Sequence, residues 1–216
     1  MSGTTTRASS AQLMVDLIIS LDGYASAEGW PGWWGLEGPE YLAWLEEEGA
    51  KRYTILMGAN TYRLMSGMAA DAEADGSAFS REEGASLTGL AAVTKIIFSA
   101  TLPAPLAWPN SELVTGDAVE AVREMKRTGT GTLSTLGSLS LSRSLLTAGL
   151  VDRFRVVVFP VITGRTGRER IYDGYPDVAL EMVESRTFDG RLQLLEYVPT
   201  VLTGPPARGP GEQRTG

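Results

Sequence analysis

The alternation of short apolar runs with segments of helical spacing constrains this chain more than any other feature. "QLMVDLIIS", "YTILM", "KIIFS", "ELVT", "TLSTLG" and "RFRVVVFPVI" are aliphatic or β-branched and bounded by Gly, Pro, Asn or Asp, as strands are. Several are apolar throughout, which places them at the centre of a sheet covered on both faces. Between them, "GPEYLAWLEEEGAKR" sets Tyr41, Leu42 and Leu45 on one helical face. "DAVEAVREMKR" opens with Asp117 as an N-cap, and "SLSLSRSLLTAGL" closes near Gly149. Strand, helix, strand, helix is the pattern of a mainly parallel sheet with helices on both faces.

Beyond Val151 the pattern changes. "ALEMVESRTF" and "RLQLLEYV" alternate apolar with polar residues and are joined by Asp189-Gly190, a strong hairpin signal. The expected fold is therefore α/β, with a mainly parallel central sheet of about eight strands finished by an antiparallel C-terminal hairpin. One domain over residues 12–202 accounts for these runs. Residues 1–11 and 203–216 are small, polar and, in the tail, rich in Gly and Pro, so both ends are expected to be disordered. The stretch from Gly67 to Leu90 is acidic and rich in Ala, Gly and Ser, and reads as a solvated loop with a short helix near its end.

Composition removes several function classes. The 216 residues carry a formal net charge of -7, which argues against nucleic acid or an anionic membrane as partner, since an acidic surface releases no counterions from either. There is no cysteine and no histidine. That excludes a disulfide framework, a thiolate nucleophile, the usual zinc ligands and the commonest general base near neutral pH. No metal site is expected. The N-terminal "MSGTTTRASSAQ" lacks an apolar core, and no window approaches the ~20 apolar residues of a membrane span, so the protein is placed in the cytoplasm.

A small molecule is left as the ligand, and a parallel sheet offers it the edge where strands end and helices begin. "MGANT", "FSATL" and "LGSLS" all fall on that edge. Gly58 and Gly137 open backbone conformations closed to other residues, and Thr61, Ser99, Ser138 and Ser140 bring hydroxyls beside free helix amides. One such turn reads as an ordinary connection; three together are harder to dismiss as that, and leave open the alternative of a phosphate seat. Neither G-x-G-x-x-G nor G-x-x-x-x-G-K-[ST] occurs, so the seat is neither a Rossmann nor a P-loop one. The first strand runs into "SLDGYAS", whose Asp22 is either a turn former or a ligand-facing carboxylate. Trp30, Trp33 and Trp34 follow in "EGWPGWWGLEG", where they either line a pocket for a flat ring or plug the sheet edge as core.

In order and spacing, "SLDGYAS", "LMGANTYRLM", "KIIFSATL", "TLGSLSLSRSLLTAGLVDRFRVVVFPVITG" and the closing hairpin resemble the dihydrofolate-reductase-like superfamily. Within it they are similar to the C-terminal reductase domain of the bifunctional riboflavin-biosynthesis deaminase-reductase, over approximately Leu13 to Val198. The resemblance implies an NADPH-dependent reductase, with NADH a possible donor. Gly58, Ala59, Asn60 and Thr61 would hold the pyrophosphate from one side, with Leu136, Gly137, Ser138 and Leu139 on the other. Ser99, Ala100 and Thr101 would flank the adenosine end. Asp22, as catalytic and substrate-binding residue, would face a pterin, pyrimidine or similar nitrogen heterocycle together with Trp33 and Trp34. The resemblance also implies a homodimer, with apolar surfaces such as "RFRVVVF" in the contact.

The chain departs from its relatives at three places. Ala59 and Ala100 stand where they often carry basic residues, and Gly137-Ser138 replaces a Gly-Gly pair. Arg165, Arg168 and Arg170 either compensate for the lost charge or solvate a loop. The rival function is a non-catalytic protein that keeps the cleft to bind a nucleotide or heterocycle.

Overall fold

The computed structural model describes residues 10–29, 34–74 and 81–205, and of Arg81–Glu83 the backbone alone. In chain order the elements are β1 (Gln12–Ser20), β2 (Tyr24–Ala27), α1 (Pro39–Ala50), β3 (Thr54–Gly58), α2 (Ala59–Ala74), α3 (Arg81–Ala92), β4 (Lys95–Phe98) and β5 (Ser111–Val114). There follow α4 (Ala118–Thr128), β6 (Thr132–Thr135), α5 (Leu139–Thr147), β7 (Arg153–Phe159), β8 (Gly167–Arg170), β9 (Val178–Phe188) and β10 (Leu192–Val201). Eight of the strands form one sheet in the order β5-β4-β3-β6-β1-β7-β10-β9. Neighbours from β5 to β7 are parallel, and β10 is antiparallel to both β7 and β9. This is the α/β architecture expected from the alternating runs.

Side-chain alternation sorts the two faces. Leu13, Val15, Leu17 and Ile19 of β1 pack with Val122 of α4 and Leu141, Leu145 and Leu146 of α5. On the opposite face Ile55, Met57 and Ile97 meet Tyr62, Met65 and Ala69 of α2 and Leu87 of α3. Leu56, one residue from each of its β3 neighbours, belongs to the first cluster, as a period of two requires. Ala11, the last residue of the segment expected to be disordered, is 2% exposed, and its amide donates to Lys126 O.

The stretch assigned to a solvated loop is largely helical. α2 runs on to Ala74 and α3 spans Arg81–Ala92. Composition hid α3 because its anchor lies outside it. Lys95, with no exposed surface, donates to the carbonyls of Leu90 (2.6 Å), Ala91 (3.2 Å) and Val93 (2.8 Å), and its ammonium lies 4.6 Å from the Trp108 ring centroid. A cation in this place satisfies the carbonyls that a helix C-terminus leaves open. Burial pushes its pKa down to about 8.

α1 is tied down at both ends by charge. Its N-cap is Gly38, which has no side chain to offer, and Asp189 of the β9–β10 turn takes that place by accepting from Glu40 N (3.0 Å) and Tyr41 N (3.2 Å). Glu40 returns the bond, accepting from Asp189 N at 2.6 Å. A Cβ at residue 38 would lie 2.2 Å from Asp189 Cγ, so only glycine fits. The turn itself has φ of 51° at Asp189 and 65° at Gly190, as the hairpin signal implied. Near the other end, Glu48 accepts from Arg155 Nη1 at 2.8 Å.

Arg155 is 5% exposed in the middle of the sheet. Its Nε and Nη2 also donate to Asp16 at 3.1 and 2.6 Å, and the guanidinium lies 4.9 Å from the Trp44 ring centroid. Burial alone would lower its pKa, but the two carboxylates outweigh that and raise it. β7, expected to help form a dimer contact, has both edges paired, to β1 and β10. Replacing Arg155 with Ala leaves Asp16 without its ion-pair partner and Glu48 with only Lys51 and Tyr53, and removing one partner from a buried ionic group costs about 3–5 kcal/mol. Urea unfolding of Arg155→Ala is expected to show a loss of that size with the slope unchanged.

Candidate functional site

The sheet order sets the C-terminal ends of β4, β3, β6 and β1 side by side. Ser99, Gly58, Leu136 and Asp22 follow or end those strands in turn. The turns expected to converge therefore do so, and Asp22 stands in the turn after the next strand, β1. The turn after β7, which neighbours β1, completes the row.

A hydroxyl joins the two central turns. Gly58 N donates to Ser138 Oγ at 2.7 Å, and Ser138 Oγ donates to Thr61 Oγ1 at 2.8 Å. Ser138 thus spends its single hydrogen on Thr61, leaving the Thr61 hydroxyl hydrogen for an acceptor beyond it. Such a chain polarises each hydroxyl in turn and strengthens the last donor. Ser138 is left-handed, at φ 55°, a conformation that costs a non-glycine residue about 1–2 kcal/mol. Its hydroxyl makes no capping bond to α5, so the first-turn amides of that helix receive no acceptor from their own N-cap.

Gly137 precedes it, also at φ 55°, and a Cβ there would lie 3.2 Å from Thr61 Oγ1. Glycine keeps the backbone of one turn close to the side chains of the other. The cis peptide bond among the described residues is Ala104-Pro105, so Gly137-Ser138 is trans.

The remaining predicted residues divide. Ala59, Gly58, Thr61, Leu136 and Leu139 are partly covered, and Asn60, Ala100 and Thr101 are exposed. Ser99 is occupied by its own turn, accepting from Thr101 N and Leu102 N at 3.1 Å each. Trp34 is 1% exposed and packs with Tyr41, Trp44, Phe159 and Phe188, so its placement is that of a core plug, not of a ring cover. Trp30 and Trp33 lie outside the described residues. Arg165, Arg168 and Arg170 are exposed; Arg168 pairs with Glu28 at 3.3 Å and Arg170 lies over Tyr24. Sequence reasoning missed the β2–β8 ribbon that carries Arg168 and Arg170 and that Arg165 precedes, because its strands are four residues each and carry no apolar run.

Asp22 is neither a simple turn former nor a free carboxylate. Oδ1 accepts from Ser20 Oγ (2.6 Å) and Thr163 N (3.2 Å), and Oδ2 from Gly164 N (2.9 Å). Burial would raise its pKa, but the Ser20 hydroxyl and the Gly164 and Thr163 amides outweigh that and lower it to about 2. The carboxylate is ionised at neutral pH. It fastens the turn after β7 and has no proton to give. Glu40 is likewise occupied by Asp189 N. No cluster that could hold a metal ion occurs among the described residues.

An α/β domain with this mainly parallel sheet and C-terminal antiparallel strands has the fold of the dihydrofolate-reductase-like superfamily. Within it, the chain belongs to the RibD C-terminal domain family, whose model matches residues 11–194. A putative riboflavin biosynthesis protein from Shewanella sp. PV-4 superposes with a TM-score of 0.62 at 16% identity, over 88% of this chain and 99% of that one. A pyrimidine reductase-like protein from Corynebacterium diphtheriae gives 0.54 at 16% identity, over 88% and 92%. A diaminohydroxyphosphoribosylaminopyrimidine deaminase/5-amino-6-(5-phosphoribosylamino)uracil reductase from Thermotoga maritima gives 0.56 at 14% identity. The match covers 88% of this chain and 57% of that bifunctional one. Curated proteins give no match.

The Asp22 contacts carry a pH dependence. A carboxylate with a depressed folded pKa stabilises its contacts fully above its ordinary value of 3.8, and the stabilisation is lost as pH falls through about 2. Asp22→Asn is expected to speed amide hydrogen exchange at Thr163 and Gly164 at neutral pH. The wild type should approach the same rates, relative to the intrinsic rate at each pH, only between pH 4 and 2. Nuclear magnetic resonance exchange measurements on the two proteins check both statements.

Proposed function

We propose that this protein is a reductase in which a reduced nicotinamide dinucleotide, NADPH with NADH as the alternative, donates hydride to a small nitrogen heterocycle. The substrate would be a pterin, a pyrimidine or a natural-product intermediate. The observation that carries this reading is the Gly58–Ser138–Thr61 hydrogen-bond chain, which leaves the Thr61 hydroxyl hydrogen for a further acceptor beside two helix starts. A pyrophosphate suits that donor set: it needs acceptor-facing hydroxyls and amides, and close backbone approach at Gly137. Family membership supports the same cofactor class.

When bound, the nicotinamide supplies the hydride. The protein's part is to hold and orient. Thr61 and the first amides of α5 would fix the phosphates, with Gly58, Ala59, Asn60, Leu136, Gly137 and Leu139 shaping the walls and Ser99, Ala100 and Thr101 at the adenosine end. Asp22, ionised, would accept a hydrogen bond from a ring N–H or hydroxyl, since Oδ2 has Gly164 N as its close partner and keeps room for another donor. Trp33 remains the proposed cover for the ring. Orienting the two reactants in this way is a large part of what such an enzyme must supply.

A second reading has its own support. The engagement of Asp22 and Glu40 in contacts of the fold suits a non-catalytic protein that binds a nucleotide or heterocycle in this cleft. Turnover separates the two readings once binding is established.

We also take the protein to be cytoplasmic and homodimeric. β9 is an edge strand with Leu180, Met182 and Val183 exposed at 45%, 54% and 47%, a strand of the kind that proteins cover or pair. A monomeric mass by light scattering at micromolar concentration would refute the dimer.

Saturable binding of NADPH or NADH, followed by fluorescence, tests the cofactor reading. Gly137→Val should weaken it at least tenfold, about 1.4 kcal/mol, because a β-branched side chain at φ 55° meets Thr61. Ser138→Ala, which keeps the backbone and cuts the hydroxyl chain, should weaken it in the same direction. Unchanged affinity in both variants, each folded by circular dichroism, would remove these turns from the site.

A further inference from the structure

Four charged side chains cross the sheet in one row of its register. Asp16 of β1 stands beside Arg155 of β7, Arg155 beside Glu196 of β10, and Glu196 beside Glu184 of β9. Residues paired in register share a face. α1 closes over that face farther along the strands, where Val157, Leu194 and Phe188 pack with Tyr41 and Trp44. On the other side of the row the face opens into a cavity of about 330 Å³, within the ~300–1,000 Å³ range of small-molecule sites. Gln12, Thr132 and Arg153, the first residues of β1, β6 and β7, line it. Those strands are parallel, so the cavity lies at the end of the sheet away from Leu136 and Asp22.

Charge inside the cavity is not balanced. Arg155 is spent on Asp16 and Glu48, and Lys51 on Glu48. Arg186 lies over the Phe188 ring at 4.6 Å. Neither Arg186 nor Glu184 forms an ion pair among the described residues, and Glu196 forms one, with Arg153 Nε at 3.3 Å. The Glu196 side chain is 15% exposed. Burial raises its pKa, and Glu184 and Asp16 add to this against the pull of Arg155 and Arg153. Like charges directly opposite one another destabilise a strand pair, and partial burial strengthens the repulsion. The register shifts immediately after Glu196, an irregularity used at sheet edges and beside sites to re-aim a side chain. Fold stability does not account for this pair of carboxylates. A cation lodged between them does.

We propose that the cavity binds a small organic cation, its ammonium or guanidinium group seated between Glu184 and Glu196. Glu47 of α1, exposed at the same cavity, offers a carboxylate to a second cationic end, which suits a diamine. A metal ion suits the cavity less, because no group of acids among the described residues is placed to hold one. The formal net charge of -7 draws cations to the protein, and the partial burial of Glu196 makes a pairing there stronger than one in open solvent. The site is separate from the proposed cofactor edge and does not depend on it.

The experiment is calorimetric titration of the full chain with putrescine and with agmatine at fixed ionic strength, with butane-1,4-diol as the uncharged control. A single saturable site is expected for at least one of the two amines and none for the diol. Glu184→Gln and Glu196→Gln should each weaken binding at least about tenfold, the loss of one charge-assisted hydrogen bond. Both substitutions relieve the opposed charges, so neither should lower the melting temperature of the ligand-free protein. Lost affinity at an unchanged or raised melting temperature is what misfolding would not produce, and Glu184→Gln, on the exposed edge strand, carries the test if Glu196→Gln fails to fold. Absence of saturable binding, heats that sodium chloride of the same ionic strength reproduces, or an affinity that Glu184→Gln leaves unchanged would overturn the site.

Discussion

A guanidinium buried in a sheet is tolerable only where its charge is matched, and Arg155 is matched twice, by Asp16 on the adjacent strand and Glu48 on the helix above. Taking an unpaired cation out of water costs several kcal/mol, far more than a surface ion pair returns. The pairing therefore fixes where α1 lies on β1 and β7. Glu48 is further committed to Lys51 and Tyr53, which holds the same end of the helix. At the other end the β9–β10 turn supplies the cap through Asp189. α1 has little freedom between these anchors, and its buried ring pair, Tyr41 and Trp44, closes over Phe159 and Phe188.

The functional edge inherits that rigidity unevenly. On the β7 side the turn is fastened by Asp22, and β7 and β1 share the α1 anchor through Arg155 and Asp16. On the β3–β6 side the connection is a single hydroxyl, Ser138, bridging a backbone amide and Thr61. The two sides are thus held by different means: ionic and hydrogen-bonded packing on one, a short polarised chain on the other. The second arrangement is the one that leaves a donor unspent, and it coincides with the glycine whose missing Cβ keeps the turns close. Geometry and hydrogen-bond accounting select the same few residues without reference to any relative.

Much of this was legible in the sequence because its causes are local. The apolar runs fixed the strands, Asp117 accepts from Val119 N and Glu120 N as an N-cap should, and Asp189-Gly190 forms the hairpin turn. What sequence could not yield depends on partners far along the chain. Asp22 binds residues 141 and 142 positions away, and Asp189 caps α1 across 149 and 148. α3 was hidden because its cap, Lys95, belongs to the next strand, and an acidic, Ala- and Gly-rich stretch has little periodicity of its own. Trp34 could be either pocket or plug from sequence; the ring cluster around it, drawn from α1, β7 and β9, decides for the plug.

The same long-range contacts bear on how a reductive reaction could be completed here. Delivering hydride to a C=N bond leaves a nitrogen that must gain a proton, and enzymes commonly supply it from a carboxylic acid or an imidazole. This chain has no histidine. Asp22 is held ionised by three donors, so protonating it would cost the contacts that fasten the turn after β7. Glu40 accepts from Asp189 N, and drawing it away would free an amide of the turn that caps α1. Both carboxylates are therefore engaged within the fold. Under the reductase reading, these contacts suit Asp22 to orienting the ring rather than to delivering the proton.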